Sequence, residues 1–132
     1  MKLKMQESSV FEYTVLRLVP RVEREEFINV GVILFCKRKK FLGLKYELNE
    51  SKIKAIFGED ICIDTIKNHL KSFESITNGD QCSSLIATYD LAERYRWLTA
   101  KRSTIIQTSA THAGITNNPA ETLERVYKEQ VL

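Results

Sequence analysis

The chain has 132 residues, 43% of them hydrophobic and 28% charged, with 20 Lys and Arg against 17 Asp and Glu for a formal charge of +3. That length suits one domain over residues 1–132, and the composition excludes intrinsic disorder. So slight a positive balance does not by itself mark a nucleic-acid binder, because binding footprints are local basic patches rather than modest totals. In chain order, FEYTVLRL at 11–18 is rich in aromatic and branched residues and reads as a first strand, with Phe11, Tyr13, Val15 and Arg17 on one face. Pro20 stops it, and the charged VEREE that follows is a solvated connection. FINVGVILFC at 27–36 is apolar on both faces and reads as a central strand covered on both sides, or on one side by a helix. Gly31 inside that run predicts a bulge or the close approach of another group. KRKK at 37–40 turns the chain, and FLGLKYE completes a three-strand antiparallel meander.

Helical spacing follows. Ser51 caps SKIKAIF, with Ile53, Ile56 and Phe57 inward and Gly58 as the stop. A second helix runs from Asp60 or Asp64 to Thr77, with Ile66, Leu70, Phe73 and Ile76 as its apolar stripe and Asn78-Gly79 as its end. His69 lies beside that stripe and lacks a second ligand at a matching offset, so boundary packing is favoured over metal binding. The segment 79–88 reads as loop with room for a short extended piece at SSLIATY. Asp90 and Glu93 form a D-x-x-E capping box that opens a helix from Leu91 to about Thr99. STIIQTS at 103–109 alternates and reads as a fourth strand. Asn118-Pro119-Ala120-Glu121 is a strong helix start, with Leu123, Val126 and Tyr127 on the buried side and Glu121/Arg125 and Glu124/Lys128 placed to pair at i, i+4. The expected fold is α+β: a small, mostly antiparallel sheet packed on one side against three or four helices.

The apolar run 28–36, broken by Asn29, is too short to cross a bilayer, and Met1 to Met5 lacks the apolar core of a secretory signal. Three cysteines, Cys36, Cys62 and Cys82, without C-x-x-C spacing argue against a disulfide framework or zinc site. The expectation is an unprocessed cytoplasmic protein. Charge is unevenly placed: 94–120 holds four Lys or Arg and no Asp or Glu. Within it, Arg96, Lys101, Arg102, Ser103, Thr104, Gln107 and His112 offer guanidinium forks and neutral donors suited to phosphate or carboxylate. The plainer reading is a helix end whose cations face its negative dipole, followed by an edge strand.

Catalysis by Ser103, Ser109 or Thr111 with His112 as base would need Glu25, Glu26 or Asp90 as an orienting third group, which no spacing singles out, and there is no G-x-S-x-G elbow. Glycine-rich phosphate loops and metal-ligand spacings are missing too, so no cofactor and no metal are expected. Nucleic-acid binding has some support from KRKK and from Arg94, Tyr95, Arg96 and Trp97. A hairpin turn and a helix with Tyr95 and Leu98 buried explain them better.

The order YTVLRLVP, EEFINVGVILFC and ERYRWLTAKRSTIIQTSATHAGITNNPAETLE resembles the bacterial family called domain of unknown function 3037 (DUF3037). Lys101 stands where many members have a proline before the Arg-Ser pair. The resemblance implies no catalytic residue. It implies a partner, a HipA-like kinase-fold protein of toxin and antitoxin systems, beside which such proteins are often encoded. It also marks Arg17, Asn29, Gly31, Trp97, Arg102, Ser103, His112 and Gly114 as positions where a site would be sought. Taken with the local cation excess, these give a candidate pocket of Arg17, Asn29, Arg96, Lys101, Arg102, Ser103, Gln107 and His112 for a phosphate-bearing ligand. The favoured reading is a non-catalytic accessory or interaction module, with a small hydrolase or nuclease and a nucleic-acid-binding module as alternatives.

Overall fold

The computed structural model describes residues 8–24, 26–80, 85–100 and 104–132. Among them, five strands make one antiparallel sheet: β1 (Ser9–Leu18), β2 (Ile28–Cys36), β3 (Phe41–Tyr46), β4 (Ile106–Thr108) and β5 (His112–Thr116). Four helices accompany them: α1 (Glu50–Phe57), α2 (Ile63–Asn78), α3 (Leu91–Thr99) and α4 (Pro119–Gln130). The meander read from the sequence is present, with β2 between β3 and β1. The fold is α+β.

Both faces of the sheet are covered, which corrects the one-sided packing expected. Leu16, Leu18, Ile33 and Phe35 face α1, α2 and α3 and share a core with Ile53, Leu70 and Leu98. Phe11, Val32, Leu34 and Cys36 face the other way and pack against Leu123, Val126 and Tyr127 of α4. The cause is β2 itself. Val32, Ile33, Leu34 and Cys36 are all 0% exposed, and alternate residues of one strand can be buried together only if each face has its own cover.

Gly31 serves both purposes that its position in β2 suggested. The register slips there, Leu16 pairing with Gly31 and Arg17 with Asn29, so Val30 is the extra residue of a bulge. A Cβ on Gly31 would also stand 2.7 Å from Tyr46 Cβ and 2.8 Å from the Lys45 carbonyl oxygen. No side chain fits.

The expected fourth strand is shorter than 103–109, and β5 beyond it was not foreseen. Together the two flank β1: β4 pairs with Leu16 to Leu18, and β5 with Ser9 to Tyr13. Between them the Ser109 amide donates to the Val15 carbonyl at 2.9 Å, while the Val15 amide donates to Ser109 Oγ at 2.9 Å. The hydroxyl replaces the carbonyl that an unbroken strand would have offered. At the other end of β1 the Phe11 ring covers Gly114, its paired residue, so closely that a Cβ there would meet the ring at 2.8 Å.

The helix ends follow local chemistry, with corrections. Asn49, two residues before the expected Ser51, caps α1 by accepting from the Lys52 amide at 3.0 Å. Ile53 and Phe57, four apart, meet the core, so Ile56 lies on the flank and is 52% exposed. In α2 the four expected residues are buried, and Gly79 ends it in the left-handed conformation. The described part of SSLIATY is a 3-10 turn at Ile86–Thr88 rather than an extended piece. Asp90 and Asn118 cap α3 and α4 as read, accepting from the Glu93 and Glu121 amides. On α4 the charges pair with partners other than those expected: Arg125 bonds Glu129, also at i, i+4, instead of Glu121, and Glu124 bonds Lys45 on β3 instead of Lys128.

Two substitutions test this framework by urea unfolding. Gly31→Ala is expected to cost about 1–3 kcal/mol by overpacking against β3. Ser109→Ala strands the buried Val15 amide and is expected to cost about 1–3 kcal/mol, the penalty of an unmade buried hydrogen bond.

Candidate anion site at the end of the sheet

Arg17 is the one charged residue in the series Phe11, Tyr13, Val15 and Arg17 that β1 directs toward the α4 face. Sheet pairing places two of the other candidates beside it. Asn29 on β2 and Gln107 on β4 are its Cα partners on either side, so Gln107, Arg17 and Asn29 form a row across three adjacent strands. Strands are about 4.8 Å apart, and side chains directly opposite can meet the same small ligand.

The row has unmet polar capacity. The Arg17 guanidinium carbon lies 4.3 Å from the centre of the Phe27 ring, a cation–π contact that holds the side chain flat against an aromatic plate. Arg17 Nε is enclosed without a hydrogen-bond partner, and among the described residues no carboxylate forms an ion pair with it. Asn29 donates through Nδ2 to the Gln130 carbonyl at 2.9 Å, at the C-terminal end of α4. Its Oδ1 is enclosed and receives no donor. Gln107 donates to the Thr104 carbonyl at 3.0 Å, which fixes its side chain along β4. One unused donor and one unused acceptor therefore sit on paired residues, and burial of such groups is costly unless something completes them.

The remaining candidates separate. Arg96 projects from α3 on the opposite face of the sheet, where it lines a cleft with Glu12, Lys37 and Tyr95. His112 on β5 is the partner of Tyr13 and lies against its ring, 5.2 Å between centroids and tilted by 34°. Tyr13 is four residues along β1 from Arg17, about 13 Å at strand spacing, so the imidazole and the guanidinium do not share a small pocket. Lys101, Arg102 and Ser103 lie outside the described residues. The sequence reading missed Phe27, taken as the start of an apolar strand, and the Gln130 carbonyl, which no side-chain pattern could reveal.

Arrangements that would do covalent chemistry are missing from the described residues. No hydroxyl donates to His112, whose contact is the flat face of Tyr13. No group of three or more His, Cys, Asp or Glu side chains gathers to hold a metal among the described residues. Cys36 is fully buried, while the exposed Cys62 accepts from the Thr65 hydroxyl at 3.1 Å, which with backbone donors pulls its thiol pKa below the usual value. Among the described residues, no helix is long and apolar enough to cross a membrane.

Comparison with known proteins adds the family and nothing about its chemistry. No curated protein and no solved structure matches the chain. A family model described as a protein of unknown function, DUF3037, matches residues 13–131, which include β1 from Tyr13, the whole row of Gln107, Arg17 and Asn29, and all four helices. The chain therefore belongs to the DUF3037 family.

Proposed function

We propose that this protein is a non-catalytic accessory module that recognises a phosphate monoester at the row of Gln107, Arg17 and Asn29. The observation that carries this reading is Arg17: stacked on Phe27, with Nε enclosed, and with no counter-anion among the described residues. A folded domain gains nothing in stability from such a group, because an unpaired buried cation or donor costs several times what a surface charge does. Phosphate rather than carboxylate fits the pair of unmet atoms. A monoprotonated phosphate accepts from a guanidinium through its bare oxygens and donates through its hydroxyl, and Asn29 Oδ1 is the acceptor that stands ready for that proton.

The partner reading follows from the family resemblance. A HipA-like, kinase-fold neighbour would bring phosphorylated side chains or nucleotides to this end of the sheet, and a module that holds them without turnover would act as its accessory. The location would be the cytoplasm. The hydrolase or nuclease alternative would act through Arg102 and His112, with Ser103 or water as nucleophile; Arg102 and Ser103 lie outside the described residues, and the register sets His112 four strand positions from Arg17, which favours the non-catalytic reading. The basic turn at 37–40 joins β2 to β3, which supports a hairpin more than a nucleic-acid surface.

Calorimetric titration with phenyl phosphate, and in parallel with sulfate, tests the site. The monoester should bind at least about tenfold more tightly than sulfate, which carries no proton for Asn29, and more tightly at pH 6 than at pH 8, because the second phosphate pKa is about 6. Arg17→Met should abolish binding while leaving stability unchanged or raising it by about 0.5–2 kcal/mol, as expected when a residue kept for ligand is replaced by an apolar one of similar length. Loss of stability without loss of binding would assign Arg17 to the fold instead. For the partner, coexpression with a HipA-like protein encoded beside the gene should give a copurifying complex that Arg17→Met weakens. Clean separation of the two proteins would remove the partner.

A further inference from the structure

On the face opposite Arg17 the sheet is not wholly covered. α3 packs on β2 through Tyr95, whose ring stacks on Phe35 with centroids 5.2 Å apart. Beyond it lies a cleft of about 340 Å³, within the range of about 300–1,000 Å³ that small-molecule sites occupy. Its floor is Val10 and Glu12 on β1, Phe35 on β2 and Lys37 at the start of the following turn, and its wall is Ala92, Tyr95 and Arg96, which share one side of α3.

Three charges line this cleft and none is spent on another. Among the described residues, Glu12, Lys37 and Arg96 form no ion pair, although exposed charges of opposite sign elsewhere on the chain do, as with Lys67 and Glu50 at 3.1 Å. A simple anion entering the cleft would meet the Glu12 carboxylate, and a simple cation would meet two positive groups. A ligand carrying one charge of each sign satisfies all three. The rest of the lining is apolar: Val10 is 64% exposed although it lies on a sheet face, and the rings of Phe35 and Tyr95 with the Ala92 methyl complete an apolar corner. The Tyr95 phenol is enclosed in the wall, with the hydroxyls of Thr14 and Thr111 beside it. Burial, and secondarily the Glu12 charge, push the phenol pKa up to about 12, so Tyr95 stays a neutral hydroxyl across the physiological range.

We infer that this cleft binds a free α-amino acid with an apolar side chain, its ammonium group against Glu12, its carboxylate against Lys37 and Arg96, and its side chain over Val10, Phe35 and Ala92. The site is separate from the one at Arg17 and does not depend on it, since the two lie on opposite faces of the sheet.

The test is an NMR titration of the ¹⁵N-labelled full chain with L-leucine, L-methionine and L-phenylalanine, together with N-acetyl-leucine and leucinamide. At least one free amino acid should give saturable shifts at Glu12, Phe35, Tyr95 and Arg96, and blocking either end of leucine should weaken binding by about tenfold or more. The charge assignments are read from variants that leave the core untouched. Glu12→Gln should weaken the free amino acid about tenfold but not its N-acetyl form, which has no ammonium to lose. Arg96→Gln should weaken the free amino acid but not the amide. Absence of saturable shifts with all three amino acids overturns the inference, as does equal binding of the blocked forms or an equal effect of each variant on every ligand.

Discussion

The position of every candidate group in this protein depends on how the outer edge of β1 is satisfied. β1 is ten residues long, yet β4 and β5, its neighbours on that side, are three and five residues long and leave a gap between them. An unpaired buried amide in the gap would cost about as much as any single core contact returns. Ser109 closes it by presenting its hydroxyl to the Val15 amide while its own amide bonds the Val15 carbonyl. That one side chain lets the chain break strand without breaking the ladder. It also fixes what lies on each side: Gln107 next to Arg17 before the break, His112 next to Tyr13 after it.

The two-faced burial of β2 has a functional counterpart. Because α1, α2 and α3 take one face and α4 the other, polar side chains close in sequence are sorted to opposite sides of a layer that no small ligand can cross. Arg96 and Gln107 are eleven positions apart along the chain, yet Arg96 faces Glu12 and Lys37 whereas Gln107 faces Arg17. Among the described residues, the stretch between 94 and 120 thus contributes Arg96 to one face and Gln107 to the other.

Much of the fold was legible because it rests on local signals. Alternation located β1, the two-faced apolar run located β2, and the caps at Asp90 and Asn118 located α3 and α4 to the residue. Gly31 was readable as a bulge or close approach because glycine in an apolar strand has few other reasons to be there. What escaped was set by tertiary partners. HAGIT has no apolar alternation of its own, and becomes β5 because β1 offers it a free edge and the Phe11 ring covers Gly114. Ile56 looked inward by spacing, but α1 is too short for more than the Ile53 side of it to reach the core. For the site, Arg17, Asn29 and Gln107 could be singled out by residue type. That they are neighbours follows only from strand order, and strand order is decided by pairings a hundred residues apart.

The hydrogen bond from Asn29 to the Gln130 carbonyl spans 101 positions, and the core beneath α4 closes over a similar interval. On the ribosome this means that Val32, Leu34 and Cys36 are made long before Leu123, Val126 and Tyr127, at synthesis rates of about 5–20 residues per second. For those seconds the nascent sheet carries one finished face and one bare one, and the bare face is the one that holds Arg17. Arg17 and Asn29 are therefore in place on that face before the helix whose Gln130 carbonyl Asn29 bonds exists.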